Sequence, residues 1–126
     1  MNTLAAVPLE LETTMDVNVI RDDGVLTATV AGRIDSSNAH TFAEQITGAI
    51  TDDDSAYVMD LAGLVYISSA GLRAVLMAAK TCRARKIKFV LCALADPVLN
   101  VFQVSGFDRI VGIHSTRVEA VAAVSN

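Results

Sequence analysis

Two hydrophobic periods take turns along this chain, and that alternation limits the folds open to it more than any other feature. Val17, Val19 and the stretch Val25 to Val30 are β-rich alternating runs, split by the turn signal Arg21-Asp22-Asp23-Gly24. They predict an antiparallel hairpin. Gly32-Arg33-Ile34-Asp35 closes the second strand, and Ser36 or Ser37 stands where it would cap a helix with Ala39, Phe42, Ala43, Ile46 and Ile50 on one face. Asp52-Asp53-Asp54 ends that helix; without the spaced ligands and terminal Glu of a calcium loop, it reads as a solvated turn. Ala56 to Leu61 is a short apolar run, expected to form a central strand covered on both faces. A loop is expected over 62–67, and Ser68 and Ser69 then precede the helical face Leu72, Val75, Leu76, Ala78, Ala79 and Cys82. Ile87 to Ala93 reads as another buried strand, Pro97 opens a helix to about Val104, and Gly106 ends it. Ile110 to Ile113 supplies a last strand, after which Ser115 or Thr116 caps a helix with Val118, Ala120, Val121 and Val124 inward.

The resulting order, β-β-α-β-α-β-α-β-α, predicts an α/β fold with a mixed, mostly parallel sheet and an N-terminal antiparallel hairpin. The chain has 126 residues, 52% of them hydrophobic, which suits one domain with one core. Residues 1–14 read as an N-terminal tail, in which Leu9-Glu10-Leu11-Glu12 alternates just long enough for one added edge strand. The domain then occupies residues 15–126.

Charge narrows the partners. A net charge of -4 opposes binding to nucleic acid or an anionic membrane, and an aromatic fraction of 5% without Trp offers no platform for stacked bases. The cluster Arg73, Lys80, Arg83, Arg85, Lys86 and Lys88 runs against that balance. It reads as a solvated helix end complementing the dipole, or as a contact for an acidic protein partner. Cys82 and Cys92 lack redox spacing and read as core thiols of a reducing compartment. No secretory signal or membrane-spanning run is evident, so a cytoplasmic location is expected. His40 and His114 have no ligand partner at helical or strand spacing; no metal and no cofactor are expected.

The chemistry concentrates in Ser68-Ser69-Ala70-Gly71, between the central strand and the helix that follows it. A helix N-terminus offers unpaired N–H groups and partial positive charge, which suit a phosphate on either serine. The plain structural alternative is that both serines only cap the helix, while Gly71 permits a close backbone approach. Ser69 as a hydrolase nucleophile is disfavoured, because Ile67 stands where a nucleophile elbow needs Gly and neither histidine is suitably spaced. A phosphoaspartate receiver using Asp60 with Asp22 and Asp23 is also disfavoured, since Asp22-Asp23-Gly24 reads as a turn and no Lys follows the last strand. No acidic pair suited to glycoside chemistry can be demonstrated.

From about Met15 to Val124 the chain resembles the STAS family of anti-sigma-factor antagonists. The resemblance rests on Gly32-Arg33-Ile34-Asp35, on the unit Tyr57 to Leu72, and on Val101-Phe102-Gln103-Val104-Ser105-Gly106-Phe107-Asp108-Arg109-Ile110, in the family's order and spacing. It implies that Ser69 accepts phosphate, with Ser68 at a position that is usually acidic, Ala70 at the small position, and Gly71 and Leu72 at their counterparts. Asp35 matches an acid near the acceptor; read locally, it is equally a turn or helix-entry residue. The implied partner-binding surface comprises Asp35, Ser36, Ser68, Ser69, Ala70, Gly71, Leu72 and Arg73. The implied partners are an anti-sigma factor with serine kinase activity, bound by the unphosphorylated chain, and a serine phosphatase that resets it. The protein itself is expected to be no enzyme, and to be a monomer or weak dimer. The alternative use of the same fold is a constitutive subunit of a lipid-transport ATPase or sensor complex.

Overall fold

The computed structural model describes residues 14–125. The expected tail, including Leu9-Glu10-Leu11-Glu12, therefore lies almost wholly outside the described residues. Strand β1 (Met15–Asp22) and strand β2 (Val25–Ile34) pair antiparallel from Asp22↔Val25 to Met15↔Gly32. Between them Asp23 and Gly24 take φ of 53° and 81°, the positive values that a two-residue hairpin loop demands. This is why Asp-Gly was a legible turn.

Helix α1 (Ala39–Gly48), strand β3 (Ala56–Ile67), helix α2 (Ser69–Ala84) and strand β4 (Lys88–Cys92) follow. Helix α3 (Asp96–Val104), a 3-10 turn (Phe107–Arg109), strand β5 (Gly112–His114) and helix α4 (Arg117–Val124) complete the chain. The sheet runs β1-β2-β3-β4-β5, parallel except for the hairpin. Alternate residues divide its faces. Leu26, Ala28, Val30, Tyr57, Met59, Leu61 and Leu91 join Phe42, Ile46, Val75, Ala78 and Phe102 in the main core. Ala56, Val58, Val90 and Cys92 face the other way, beneath Ala120 and Val124 of α4.

Polar anchors tie these layers. Tyr57 donates its hydroxyl proton to the Ile46 carbonyl at 2.7 Å inside the core. Arg117 reaches across the second face, its Nε to Asp60 at 2.9 Å and its guanidinium to the Thr29 hydroxyl at 2.9 Å. Cys82 and Cys92 are buried free thiols, and burial pushes each up to about 11, so both stay protonated.

Several expectations are corrected. Residues 62–67 are strand rather than loop: Leu64 and Ile67 are buried, and β2 stays paired to β3 through Ile34↔Ile67, with bulges absorbing the register shifts. Neither Ser36 nor Ser37 caps α1; the cap position is Asn38, whose side chain is turned back to the Asp35 amide and the Arg33 carbonyl. The triple-aspartate turn is only partly solvated. Asp54 is buried and holds Arg21 at 2.6 Å, because the turn folds under the hairpin. The last strand starts at Gly112, later than expected. Phe107 packs edge-on against Phe102, with centroids 5.0 Å apart, and winds the chain into the 3-10 turn, leaving Ile110 exposed. On α4, Thr116 is the cap, as one of the two expected, but Val118 is exposed; two residues from Ala120, it lies on the opposite side of the helix.

Candidate functional site

Strand β3 outlasts its neighbour β4, which pairs with it only from Ala56 to Asp60. The rest of β3 stays bonded to β2, so the two strands end side by side at Ile34 and Ile67. The amide of Ser68 donates to the Ile34 carbonyl at 2.8 Å, fixing the first residue after one strand against the end of the other. Asp35 and Ser68 therefore leave adjacent strands at one edge of the molecule. Sequence spacing alone does not reveal that neighbourhood.

Ser68 has extended backbone angles and caps α2: its Oγ accepts the Gly71 N–H at 3.2 Å, and its carbonyl accepts the Leu72 N–H at 2.9 Å. Ser69 is the first helical residue and is exposed. Among the described residues its hydroxyl has no hydrogen-bond partner, and no acidic side chain occupies the first turn. The partial positive charge at this helix end is thus not offset within its own first turn. The two serines that looked alike in the sequence have different chemistry here. One hydroxyl is committed to the backbone; the other is bare.

Gly71 is set by packing. A Cβ there would lie 2.7 Å from Cγ1 of Ile67 and 2.8 Å from Cγ2 of Ile34, so only glycine lets the helix start this close to the strand ends. Ala70 and Leu72 are half-buried, whereas Arg73 and Ser36 are exposed beside the site.

Asp35 is bound into its own loop. Its carboxylate accepts the Ser37 N–H at 2.9 Å and the Ser37 hydroxyl at 2.6 Å. These bonds, the Ser37 hydroxyl first, with help from the Arg33 charge, hold its carboxyl below the usual carboxylate range. Asp35 stays ionised at the same edge as Ser68. No hydrogen bond joins it to Ser69.

The expected site omits two neighbours on β3, Tyr66 and Val65. Arg33 stacks its guanidinium 4.4 Å from the centroid of the Tyr66 ring, and Val65 beside it is 62% exposed. Both follow from the extension of β3, and the β-rich Leu64-Val65-Tyr66-Ile67 was their signal in the sequence. The rejected enzyme readings find no support in this arrangement. Asp60 lies within β3, facing Arg117, while Asp22 and Asp23 belong to the hairpin end of the sheet. His40 pairs instead with Glu44 on α1 at 3.4 Å. Among the described residues no cluster of His, Cys, Asp and Glu could hold a metal ion, and no helix is long and apolar enough to cross a membrane.

Known proteins match this geometry. The family model described as the STAS domain matches residues 16–120. BtrV of Bordetella bronchiseptica, which carries the name of an anti-sigma factor antagonist, is 38% identical over 109 residues, covering 86% of this chain and 94% of that protein. The crystal structure of an anti-sigma factor antagonist from Mycobacterium paratuberculosis superposes with a TM-score of 0.82 at 23% identity, over 90% of this chain and 96% of that one. The phosphorylated form of the Bacillus cell fate determinant SpoIIAA gives 0.68 at 19% identity, over 87% and 100%.

Proposed function

The chain belongs to the STAS domain family, and from that premise we propose that it is an anti-sigma-factor antagonist whose switch is phosphorylation of Ser69. The unphosphorylated chain binds an anti-sigma factor with serine kinase activity through the edge formed by Asp35, Ser36 and the start of α2. One observation carries the choice of residue: Ser69 is exposed with an unpartnered hydroxyl at a helix N-terminus, while the Ser68 hydroxyl is occupied by the Gly71 amide.

The transfer is simple to balance. The Ser69 Oγ attacks the γ-phosphorus of ATP, the bond to the β-phosphate oxygen breaks, ADP leaves, and the hydroxyl proton passes to a base on the kinase. The product places nearly two negative charges where the first-turn amides of α2 can receive them. Any surface closed over that edge then meets a bulky dianion beside ionised Asp35, and the complex is weakened without unfolding this domain. A serine phosphatase removes the group and restores binding. The alternative of a constitutive subunit in a transport ATPase or sensor complex requires no modifiable side chain here and gains nothing from a bare hydroxyl.

The test is phosphate mapping. Incubated with its cognate anti-sigma kinase and ATP, the protein is expected to gain one phosphate on the peptide containing Ser69, and Ser69→Ala to gain none. Phosphate on Ser68, or undiminished labelling of Ser69→Ala, overturns the assignment.

A further inference from the structure

Apart from Arg73, the basic cluster along α2 lies away from the switch, and Lys80 and Arg83 of that cluster border an apolar groove. That open groove of about 630 Å³ lies between α2 and β4 and is lined by Leu76, Phe89, Ile110 and Val111 together with Lys80 and Arg83. Ile110 is 56% exposed, so the floor is not closed by the chain's own packing. Lys80 and Arg83 are exposed and form no ion pair among the described residues, whereas Arg85, at the C-cap of the same helix, is held by Asp52 at 2.6 Å. Two unpaired cations beside open apolar surface, in a protein of net charge -4, fit a segment that brings apolar and acidic side chains together.

The chain contains such a segment. Residues 1–13 carry Leu4, Val7, Leu9 and Leu11 with Glu10 and Glu12, and no Lys or Arg. We propose that this segment of one copy occupies the groove of a second copy, Leu9 and Leu11 on the floor and Glu10 and Glu12 against Lys80 and Arg83, to form a weak dimer.

Reach decides between the same chain and a second one. Thr14 accepts a hydrogen bond from the Arg33 amide at 3.1 Å, beside Gly32, which pairs with Leu64; the groove residue Phe89 pairs with Tyr57, farther back along β3. That step along the strand spans about 23 Å, and three strand spacings from β1 to β4 add about 14 Å sideways, a separation of about 27 Å. Leu9 extends at most about 17 Å from Thr14. Its own groove is out of range. Lys80 lies about 16 Å along the helix axis from Ser69, so the contact is separate from the phosphorylation site and does not depend on that reading.

Sedimentation of the full chain over a concentration series tests this. Self-association is expected, weakened about tenfold by Lys80→Glu with Arg83→Glu, and equally by Leu9→Ser with Leu11→Ser. Combining Lys80→Glu and Arg83→Glu with Glu10→Lys and Glu12→Lys is expected to restore it. A synthetic peptide of residues 1–13 is expected to compete. A chain that stays monomeric at every concentration, or a dimer indifferent to these changes, overturns the proposal. So does loss of binding to phosphatidylserine vesicles in the Lys80→Glu, Arg83→Glu chain with self-association unchanged, which would assign the groove to a membrane. Circular dichroism of each variant separates loss of contact from loss of fold.

Discussion

Ser68 does with a neutral hydroxyl what an aspartate could do with a carboxylate: it accepts the Gly71 N–H and closes the first turn of α2. Because it adds no charge, the helix end keeps its pull on an incoming anion, and a phosphate on Ser69 has no carboxylate as its immediate chain neighbour. The resemblance implies an acid at this position, and Ser68 fills the capping role that such an acid could take. Gly71 is held to glycine by the side chains of Ile67 and Ile34. Gly71→Ala would press a methyl group into Ile34 and Ile67, and is expected to cost about 1–3 kcal/mol in urea unfolding. A variant as stable as the parent would mean that the start of α2 can shift away from the strands, against the fixed geometry described above.

Among the elements, the β1-β2 hairpin is clamped to the α1-β3 turn by Arg21, whose guanidinium binds both carboxylate oxygens of Asp54 and the Ala49 carbonyl. The Arg21 hydrogen bond is the main cause that holds the Asp54 carboxyl low, with the Thr51 amide assisting. A carboxyl whose value falls on folding adds stability above its ordinary value of 3.8, and loses it as pH drops through the folded value. Arg21→Ala is expected to lower stability at neutral pH and to flatten the acid side of the stability curve below about pH 5, measured by urea unfolding across pH. An unchanged acid slope would contradict the pairing. This contact was illegible in the sequence, where Asp52-Asp53-Asp54 has the look of any solvated acidic turn. Nothing local says which carboxylate the hairpin will cover. The elements themselves were legible wherever one period dominated, as in β2, α2 and α3. They were misread where tertiary pairing overrode local signals: β3 runs on through Gly63 because β2 stays alongside, and β5 starts late because Phe107 is drawn into the core.

At the scale of the molecule, the mixed sheet sets two surfaces apart. Where β2 and β3 end together lies the edge bearing Asp35 and Ser69; along the far flank lies the apolar groove beneath Lys80 and Arg83. The order of elements was readable because β-β-α-β-α-β-α-β-α survives small boundary errors, and the family through its resemblance at Gly32 to Asp35, Tyr57 to Leu72 and Val101 to Ile110. Which serine stands bare was not, since the choice depends on the cap geometry of one helix. On the proposed switch, a charge placed on Ser69 changes who binds this edge while leaving the fold intact. Its most direct test is the Kd of the cognate anti-sigma kinase for the chain before and after phosphorylation, alongside Ser69→Ala and Ser69→Glu. Tight binding by the unmodified and Ser69→Ala chains is predicted, with at least about tenfold weaker binding by the phosphorylated chain and a loss in the same direction for Ser69→Glu, all with unchanged circular dichroism. Equal affinity of the phosphorylated and unphosphorylated chains for the kinase would contradict it.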